Sequence, residues 1–487
     1  METSPVIIWL RHDFRLWDNP ALYTASTLNR PVLCVYIDDD VTDCRKNYAG
    51  GASRWWNHYA LISFKKKLEE INGTLLLRKG NPKTILNELI KATKTDHVLW
   101  NRIYSPDEVT RDTKIKSALK EQGLKVETFA ATLLMEPHTV KNKEGGVYKV
   151  YSPFRRAVEA TNFDAHPPYD PPKNIQGYDI SHLEGLQIED IFPLPTAPNW
   201  AEKLERHWDI TEDSAIERVK YFAERAMEEY KTGRDFPAKD YVSRLSPYLA
   251  RGMITPRKIM DMIKPYPSSK GKTHFISEIL WREFAAYLLF HFPHMTSRNF
   301  RPEWDDFPWE NNMEKLQAWQ QGETGFPIID AAMKELRQTG YMHNRTRMLV
   351  GSFLVKNLLI DWKHGEEWFR DNLVDFDVAS NIASWQWVAG SGADAAPYFR
   401  IFNPILQSKK FDGDGEYIKT YLPQLKDLNN KDIHEPWEAP LADLIMKGVN
   451  MGKNYPYPIC DLQKSRDKAL EVYHGLKEKN KDNTTSS

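Results

Sequence analysis

Polar side chains recur at helical spacing in a segment that is otherwise rich in large apolar residues, Ser277–Phe284. Glu278 lies three residues before Trp281 and four before Arg282, so in a helix the three side chains share one face. A carboxylate, an indole and a guanidinium on one face can hydrogen-bond, stack and neutralise an anion. A surface ion pair beside a half-buried tryptophan is the structural alternative, and this segment alone does not exclude it.

Two further sets of residues recur three or four positions apart nearer the carboxyl terminus. They are Asn344, Arg347 and Met348, and Asp377, Asn381 and Trp385. Polar groups on a core-facing stripe need partners, because a donor or acceptor buried without one costs about 1–3 kcal/mol. An apolar core cannot supply those partners, whereas a bound cofactor rich in donors and acceptors can. The pattern therefore predicts a cofactor site in the second half of the chain.

The elements that must position these groups differ between the two halves of the chain. Five short apolar runs predict strands at Val6–Leu10, Val32–Ile37, Thr74–Arg78, His97–Asn101 and Lys125–Phe129. Helical patterns separate the later runs, at Trp55–Glu70, Pro82–Lys94 and Pro106–Glu121. Strands alternating with helices of this length predict a Rossmann-like α/β domain, a doubly wound parallel sheet with helices on both faces. No GxGxxG motif follows the first run, which argues against a dinucleotide on that loop.

The pattern changes after residue 131. Nine prolines between Pro137 and Pro198 predict a connector without regular structure. Helical segments are expected near 213–231, 256–264, 274–291, 327–339, 344–360, 365–373 and 376–388. We predict an α/β domain over 1–131, a connector over 132–205, a larger all-helical domain over 206–475 and a frayed tail over 476–487.

Composition narrows the class of protein. The chain has 487 residues, with 66 lysines and arginines, 67 aspartates and glutamates, and three cysteines. No apolar run reaches the roughly 20 residues that cross a bilayer, and the amino terminus lacks the pattern of a secretory signal. Three cysteines without a CxxC pair predict neither a disulfide framework nor a zinc site. We therefore expect an intracellular, cytoplasmic protein without a bound metal.

Taken together and in order, several motifs resemble those of the photolyase/cryptochrome flavoproteins. They are Trp9–Asn19 (WLRHDFRLWDN), Gly233–Pro237 (GRDFP), Ser243–Ser246 (SRLS), Trp281–Phe284 (WREF), Met342–Met348 (MHNRTRM), Trp385–Trp387 (WQW) and Gly390–Pro404 (GSGADAAPYFRIFNP). The resemblance runs from about residue 5 to residue 460 without large gaps. It implies an α/β domain and a helical domain that binds a folded FAD.

Within that family the chain resembles the enzymes that repair cyclobutane pyrimidine dimers. The (6-4) photolyases are expected to carry a second histidine where this chain has Asn344. Gly50–Trp56 and Asp377–Asn381 resemble the bacterial class III branch, the relatives of plant cryptochromes. Plant cryptochromes carry aspartate at the position of Asn381. Three residues differ from those usual in class I photolyases: Val242 stands in place of threonine, Ile382 in place of asparagine and Ser384 in place of glycine.

The resemblance implies a set of FAD contacts. They are Tyr230, Val242, Ser243, Arg244, Leu245, Ser246, Arg282, Arg347, Asp375, Phe376, Asp377 and Asn381. Hydroxyls and backbone amides of the Ser243–Ser246 segment would meet the phosphates and ribose, and Arg282 would add positive charge. Arg347 and Asp375 would pair beside the isoalloxazine ring, and Asn381 would face its N5 atom. A neutral amide at N5 accommodates the reduced anion, which a carboxylate would repel.

The implied reaction is light-driven electron transfer from reduced FAD to a pyrimidine dimer, whose cyclobutane ring opens before the electron returns. The dimer must leave the duplex stack to react. The implied catalytic residues are Glu278, Trp281, Asn344, Met348, Asn381 and Trp387. Trp281 and Trp387 would form the aromatic walls of the dimer pocket, and Glu278 would hydrogen-bond the dimer and stabilise its radical anion.

Two more sets of residues follow from the same resemblance. DNA around the lesion would be contacted by Arg234, Glu278, Trp281, Asn344, Arg345, Arg400 and Gln407. Electrons that reduce FAD would pass through Trp385, Trp362 and Trp309, because a stepwise relay of oxidisable rings shortens each tunnelling step. A solvated surface charge is the alternative for each arginine, and core packing is the alternative for Trp362 and Trp309.

The α/β domain is expected to hold an antenna pigment. In this branch a reduced folate, 5,10-methenyltetrahydrofolate, is expected, with 8-hydroxy-5-deazaflavin as the alternative. Trp55, Trp56, Asn101 and Arg102 lie at strand or helix ends and could stack on such a ring or hydrogen-bond it. Packing of the tryptophan pair in the core is an equally good interpretation.

Two alternative functions remain open, a cryptochrome-type blue-light receptor without repair activity and a (6-4) photolyase. The set Glu278, Trp281, Asn344, Met348 and Trp387 favours repair, and Asn344 argues against the (6-4) reaction. No long output tail follows the matching region. We expect DNA containing pyrimidine dimers as the partner, no membrane association, no obligate protein partner and a monomeric state.

Overall fold

The computed structural model describes residues 4–39, 50–161, 166–196, 200–395, 397–398 and 400–485. The chain divides into two compact units, each assembled from segments that are distant in sequence. Unit 1 comprises Met1–Glu228, Ser243–Pro293 and Val374–Ala379, and unit 2 comprises Glu229–Val242, His294–Leu373 and Ser380–Ser487. The domain boundaries at 131, 205 and 475 stay predictions.

A five-stranded parallel sheet forms the centre of unit 1. Its strands are β1 (Val6–Leu10), β2 (Val32–Asp38), β3 (Thr74–Lys79), β4 (His97–Asn101) and β5 (Lys125–Phe129), in the spatial order β3-β2-β1-β4-β5. Every residue of β1, β2 and β4 is buried, as expected for strands covered by helices on both faces. The predicted strands and the doubly wound fold class are confirmed. The strand order reverses between β1 and β4, which is where such sheets open a crevice.

The helices that flank the strands begin where the sequence supplies start signals. They are α1 (Pro20–Ser26), α2 (Gly51–Glu70), α3 (Pro82–Thr93) and α4 (Pro106–Glu121). Asn19 and Asn81 accept hydrogen bonds from the first-turn amides of α1 and α3, each followed by a proline that needs no hydrogen-bond partner there. Between sheet and helices, Trp9 and Trp100 pack edge to face, with ring centroids 5.4 Å apart.

The remaining helices follow in chain order. They are α5 (Tyr151–Glu159), α6 (Ile188–Ile191), α7 (Glu202–Glu205), α8 (Glu212–Arg225), α9 (Tyr230–Gly233), α10 (Ser246–Ala250), α11 (Pro256–Ile263), α12 (Lys270–His291), α13 (Met313–Gln321), α14 (Pro327–Thr339), α15 (Asn344–Ser352), α16 (Trp362–Asn372), α17 (Val378–Ala389), α18 (Pro404–Phe411), α19 (Glu416–Tyr421), α20 (Leu441–Met446) and α21 (Leu462–Thr485). None of the helices in the described ranges is both long and apolar enough to span a membrane.

Two sequence expectations about these helices were wrong. The proline-rich stretch contains the regular helix α5, because Pro153 falls in the first turn, where its missing N–H has no intrahelical partner to lose. The helix expected over 344–360 ends at Ser352 and continues as a π-helical turn, Phe353–Asn357. That turn buries Lys356, whose Nζ donates to the carbonyl of Arg400 at 2.9 Å. Such turns are rare and interrupt helices mostly at special sites.

Candidate functional site

Helix α12 of unit 1 carries the carboxylate, indole and guanidinium that the sequence places on one face. The Glu278 side chain is 31% exposed, and its Oε1 lies 3.6 Å from Nε2 of His274, one turn earlier. Trp281 is half-buried, and its ring stacks on Tyr151 with centroids 3.7 Å apart. Arg282 points its Nη1 to the carbonyl of Thr132 at 3.4 Å. Sequence reasoning missed His274 and Tyr151.

A cavity of unit 1 opens beyond the carboxyl ends of β1, β4 and β5. It is lined by His12, Ile103, Tyr104, Ser105, Glu108, Thr132, Leu133, Leu249, Ala250, Arg251, Arg282, Ala286, Leu289, Phe376, Asp377, Val378 and Ala379. This is the crevice expected where the strand order reverses. Mixed apolar walls with a few convergent charges are typical of a cofactor site. Three of the predicted FAD residues, Arg282, Phe376 and Asp377, line it.

Two arginines of this cavity can bind an anionic ligand, beside the carboxyl groups of Glu108 and Asp377. Arg251 is 3% exposed and donates from Nη2 to the carbonyl of Phe376 at 2.9 Å. Within the described residues its Nε is buried without a hydrogen-bond partner, a donor that a phosphate oxygen could use. Burial lowers the Arg251 pKa to about 10, so the guanidinium stays charged at neutral pH, and Arg282 adds a second cation. The residues present therefore fit the diphosphate of FAD.

The predicted phosphate-binding segment Ser243–Ser246 contacts Asp375, another predicted FAD residue of unit 1. Ser246 donates from its hydroxyl to Oδ2 of Asp375 at 2.6 Å. Arg244 has a φ of 51°, a left-handed conformation that turns the backbone just before α10. Leu245 is fully buried behind this turn. The structure thus brings the serine hydroxyl and the Asp375 carboxylate together, while their contacts with FAD stay predictions.

Glu283 is a functional neighbour that sequence reasoning missed. It is 2% exposed and accepts hydrogen bonds from the backbone amides of Leu134 and Met135 at 2.9 and 3.3 Å. Burial raises the pKa of this carboxyl to about 7. Its Oε1 lies 3.8 Å from Nη1 of Arg282. Glu283 therefore fixes α12 to the loop after β5 and sets the position of Arg282. The sequence signal that could have identified Glu283 is its place directly after Arg282 in the WREF motif.

In unit 2, helix α15 carries Asn344 and Met348 at its amino-terminal end. His343 caps this helix, accepting from the amide of Arg345 at 3.2 Å. Glu335 in turn accepts from the amide of His343 at 3.1 Å, so a buried carboxylate fixes the start of the helix. Asn344 is exposed and Met348 is half-buried, as pocket-lining residues should be.

The predicted FAD and DNA residues of unit 2 include several cations whose contacts within that unit are defined. Arg347 donates from Nε to the carbonyl of Met342 at 2.7 Å. Its predicted pair with Asp375 stays a prediction. Arg345 lies 2.7 Å from Asp235 and stacks on the ring of Phe411 at 4.4 Å.

The other predicted residues of unit 2 range from exposed to buried. Arg234 lies over the ring of Tyr230 at 5.3 Å, and Tyr230 itself is buried. Arg400 is exposed, whereas Gln407 is half-buried. Val242 is half-buried as well. Their contacts with cofactor or DNA stay predictions.

Asn381, the residue expected to face the flavin N5, lies in a defined hydrogen-bonding arrangement within unit 2. Its Nδ2 donates to the backbone carbonyl of Glu366 at 3.1 Å and to Oε1 of the same residue at 2.9 Å. Glu366 also pairs with Arg370 at 3.0 Å, and burial raises the pKa of its carboxyl. Since Nδ2 is committed to Glu366, Asn381 offers its Oδ1 as an acceptor to any further partner.

The three tryptophans of the predicted electron relay all lie in unit 2 and differ in burial. Trp385 is 3% exposed and packs edge to face on Phe369, with centroids 5.0 Å apart. Trp362 is 2% exposed and donates to Asn299 at 3.0 Å. Trp309 is half-buried. Two buried rings and one that reaches solvent suit a path from interior to surface. Trp387 is also half-buried, as a pocket wall requires.

The four residues expected to contact an antenna are engaged in contacts of their own. Trp55 and Trp56 are 2% and 0% exposed and lie in an aromatic core cluster. Asn101 is 1% exposed and hydrogen-bonds Asp13, Asn19 and the amide of Ala21. Arg102 pairs with Glu136 at 2.6 Å. None of the four lines the described cavity of unit 1. The contacts of Trp55 and Trp56 favour the packing interpretation of that pair, and the antenna contacts of all four residues stay predictions.

Comparison with known proteins identifies the same family that the sequence motifs resemble. The family model described as DNA photolyase matches residues 6–173, and that described as the FAD binding domain of DNA photolyase matches residues 275–475. A deoxyribodipyrimidine photo-lyase of Agrobacterium fabrum is 45% identical over 98% of this chain and 99% of that protein.

Two solved structures extend the comparison. The crystal structure of a bacterial class III photolyase from Agrobacterium tumefaciens superposes with a TM-score of 0.94 and 45% identity, covering 98% of both chains. A Synechocystis cryptochrome superposes with a TM-score of 0.87 and 27% identity, covering 96% of this chain and 99% of that one. The fold is therefore common to a photolyase and to a cryptochrome.

Proposed function

Because the chain belongs to the photolyase/cryptochrome family, we propose that it is a photolyase that repairs cyclobutane pyrimidine dimers in DNA under light. The observation that carries the proposal is the placement on one face of α12 of Glu278, whose side chain is 31% exposed, and of Trp281, a half-buried ring that stacks on Tyr151. The identity to a photo-lyase over nearly the whole chain supports the same reaction.

The cofactor is FAD, which when bound, reduced and excited by light supplies one electron to the dimer and takes it back. The chain's own residues bind and orient it. Arg251 and Arg282 supply positive charge to the diphosphate. Ser246 forms a hydrogen bond with Asp375, the residue that precedes Phe376 of the cavity lining. Asn381, oriented by Glu366, presents an uncharged acceptor and so adds no repulsion toward a reduced, anionic ring.

The substrate is recognised after it leaves the base stack. A cyclobutane dimer stacks and pairs poorly, so extruding it costs less than extruding undamaged bases. Trp281 and Trp387 offer apolar faces on which the two joined rings pack. Glu278 hydrogen-bonds the dimer and stabilises the charge that develops there after electron transfer, an electrostatic role fixed in advance by α12.

The decisive experiment is loss of dimers from irradiated oligo-thymidine under blue light with a chemical reductant. A photolyase restores the parent absorbance of thymine in the light and not in the dark. A cryptochrome-type receptor binds FAD and changes its absorption under light but leaves the dimers in place. A (6-4) photolyase, which Asn344 argues against, repairs only (6-4) photoproducts and leaves the cyclobutane dimers in place.

The antenna is proposed to bind the α/β domain at Trp55, Trp56, Asn101 and Arg102, with a reduced folate as the ligand and a deazaflavin as the alternative. Arg102 is the most exposed of the four, with 32% of its side chain exposed. The site of action is the cytoplasm, where the protein is expected to act on DNA as a monomer without an obligate protein partner.

Purified protein is expected to release FAD and a second near-UV absorber on denaturation. Arg102→Ala is expected to reduce the second absorber and to leave the FAD content unchanged, because Arg102 is assigned to the antenna and not to FAD. Chromatography of the denatured extract measures both. An unchanged second absorber in that variant would contradict the role of Arg102, and absence of only the second absorber from the wild type would contradict the antenna and not FAD.

Affinity for dimer-containing DNA is expected to fall as salt rises, and Arg400→Ala is expected to flatten that dependence. Each lost phosphate contact lowers the slope of log affinity against log salt by roughly 1. Arg345 already pairs with Asp235, so Arg345→Ala is expected to change the slope less. Binding titrations at several salt concentrations measure the slopes.

The matched control for these two variants is Arg466→Ala on α21, a half-exposed arginine that no motif associates with DNA. Its slope is expected to equal that of the wild type. Equal slopes for Arg400→Ala and Arg466→Ala would assign Arg400 to the solvated surface.

A further inference from the structure

Tyr151 contacts the pocket wall of unit 1 in a way that nothing in the sequence motifs assigns. It is the first residue of α5, 6% exposed, and its ring lies parallel to the indole of Trp281, with centroids 3.7 Å apart and planes 10° from parallel. A face-to-face contact this close covers one face of the indole. The half-buried Trp281 is then left with its other face for a substrate ring.

A second contact fixes the ring of Tyr151 itself. Its hydroxyl donates to the backbone carbonyl of Ser277 at 2.7 Å and lies 2.8 Å from the Ser277 hydroxyl. Ser277 precedes Trp281 by four residues, so the phenol spans one turn of α12 and is held at both ends. Burial raises the Tyr151 pKa to about 12, which keeps the phenol a donor at neutral pH.

A third ring closes the edge of this pair. Phe284 meets Tyr151 at 5.9 Å and 64°, and it meets Trp281 at 5.8 Å and 71°. Edge-to-face contacts of this kind stabilise a fixed orientation beyond simple burial. The indole of Trp281 therefore has one face covered by a tethered ring and one edge blocked by another, which fixes its plane before any DNA arrives.

We propose that Tyr151 is a positioning residue for dimer recognition, which holds the plane of Trp281 so that only one indole face receives the extruded dimer. The inference rests on the proposed function, because it assumes that Trp281 is a pocket wall. A wall that is already ordered loses less conformational entropy when it binds, so affinity is gained without any contact between Tyr151 and DNA.

The experiment is a double-mutant cycle on the FAD-loaded protein. Tyr151→Leu removes the stack and the tether, and it is expected to weaken binding to dimer-containing oligonucleotide about three- to tenfold, the range of an aromatic pair. Tyr151→Phe keeps the stack and is expected to recover most of that affinity. In a Trp281→Ala background, Tyr151→Leu is expected to have no further effect on affinity, because the residue acts through the indole.

Two readouts separate this role from a general structural one. FAD content reports folding, and if Tyr151→Leu lacks FAD, Tyr151→Met replaces it in the cycle. Repair yield at saturating DNA is expected to stay within twofold of wild type, since the electrostatic role of Glu278 is untouched. Wild-type affinity in the leucine variant, or an undiminished loss in the Trp281→Ala background, would overturn the proposal. Failure of the proposed function differs, because the wild type itself would then not prefer dimer-containing DNA.

Discussion

Replacing Trp385 by phenylalanine is expected to abolish light-driven reduction of bound FAD and to leave repair by chemically reduced protein nearly unchanged. Phenylalanine is far harder to oxidise than tryptophan, yet it fills most of the same buried space against Phe369. The relay feeds the flavin but takes no part in the repair cycle. The measurement is the rate of flavin bleaching under blue light, followed by dimer loss after reduction with dithionite.

A neighbouring tryptophan provides the matched control. Trp319 is 0% exposed and lies edge-on to Trp385, with centroids 6.2 Å apart, but no motif places it in the relay. Trp319→Phe is expected to photoreduce at the wild-type rate. If Trp319→Phe is also blocked, the path runs through Trp319; if prereduced Trp385→Phe loses repair as completely as photoreduction, Trp385 is structural or lies on the repair path.

Trp387→Ala and Glu278→Ala are expected to impair repair in different ways. Stacking of a base on an aromatic side chain is worth about 1–3 kcal/mol, so the loss of Trp387 weakens binding of the dimer roughly tenfold or more. Glu278 stabilises charge that exists only after electron transfer, so its loss lowers the repair yield per absorbed photon at saturating DNA and changes affinity less. Dissociation constants and quantum yields of both variants decide between these effects.

Two controls sharpen that comparison. Trp368→Ala removes another half-buried tryptophan of unit 2 and is expected to leave affinity unchanged. Glu278→Gln keeps a hydrogen-bonding group of similar size at the same place and is expected to give a yield between those of wild type and Glu278→Ala. A wild-type yield for Glu278→Ala would show that the residue only shapes the pocket.

Local sequence patterns were sufficient for the sheet and insufficient for several helix boundaries. Strands such as VIIWL are buried on both faces and therefore read as continuous apolar runs, which few other elements imitate. Helix α2 begins at Gly51, four residues before the predicted Trp55, because glycine and serine hide the start of a helix that tertiary contacts stabilise. The π-helical turn at Phe353–Asn357 leaves no local signal, since it differs from an α-helix by one residue of register.

The candidate site shows the same division between local and distant information. Glu278, Trp281 and Arg282 share a helix, so spacing alone places them together. Glu366 orients Asn381 from fifteen positions away and belongs to another helix, where it looks like an ordinary exposed charge. Tyr151 meets Trp281 across more than a hundred residues of chain, through a helix hidden in a proline-rich stretch. Contacts of that kind depend on tertiary packing that no single segment encodes.

The discontinuity of unit 1 sets the order in which the protein can mature on the ribosome. The unit needs Val374–Ala379, which is synthesised about 150 residues after Glu228, a delay of roughly 8–30 s at about 5–20 residues per second. Until then, Arg251 lacks the carbonyl of Phe376, and Ser246 lacks the Asp375 carboxylate. The nascent α/β sheet can form early, but its cofactor cavity lacks one wall. Loading with FAD is therefore expected to follow the synthesis of residue 379, and a chain truncated before residue 374 is expected to bind no FAD.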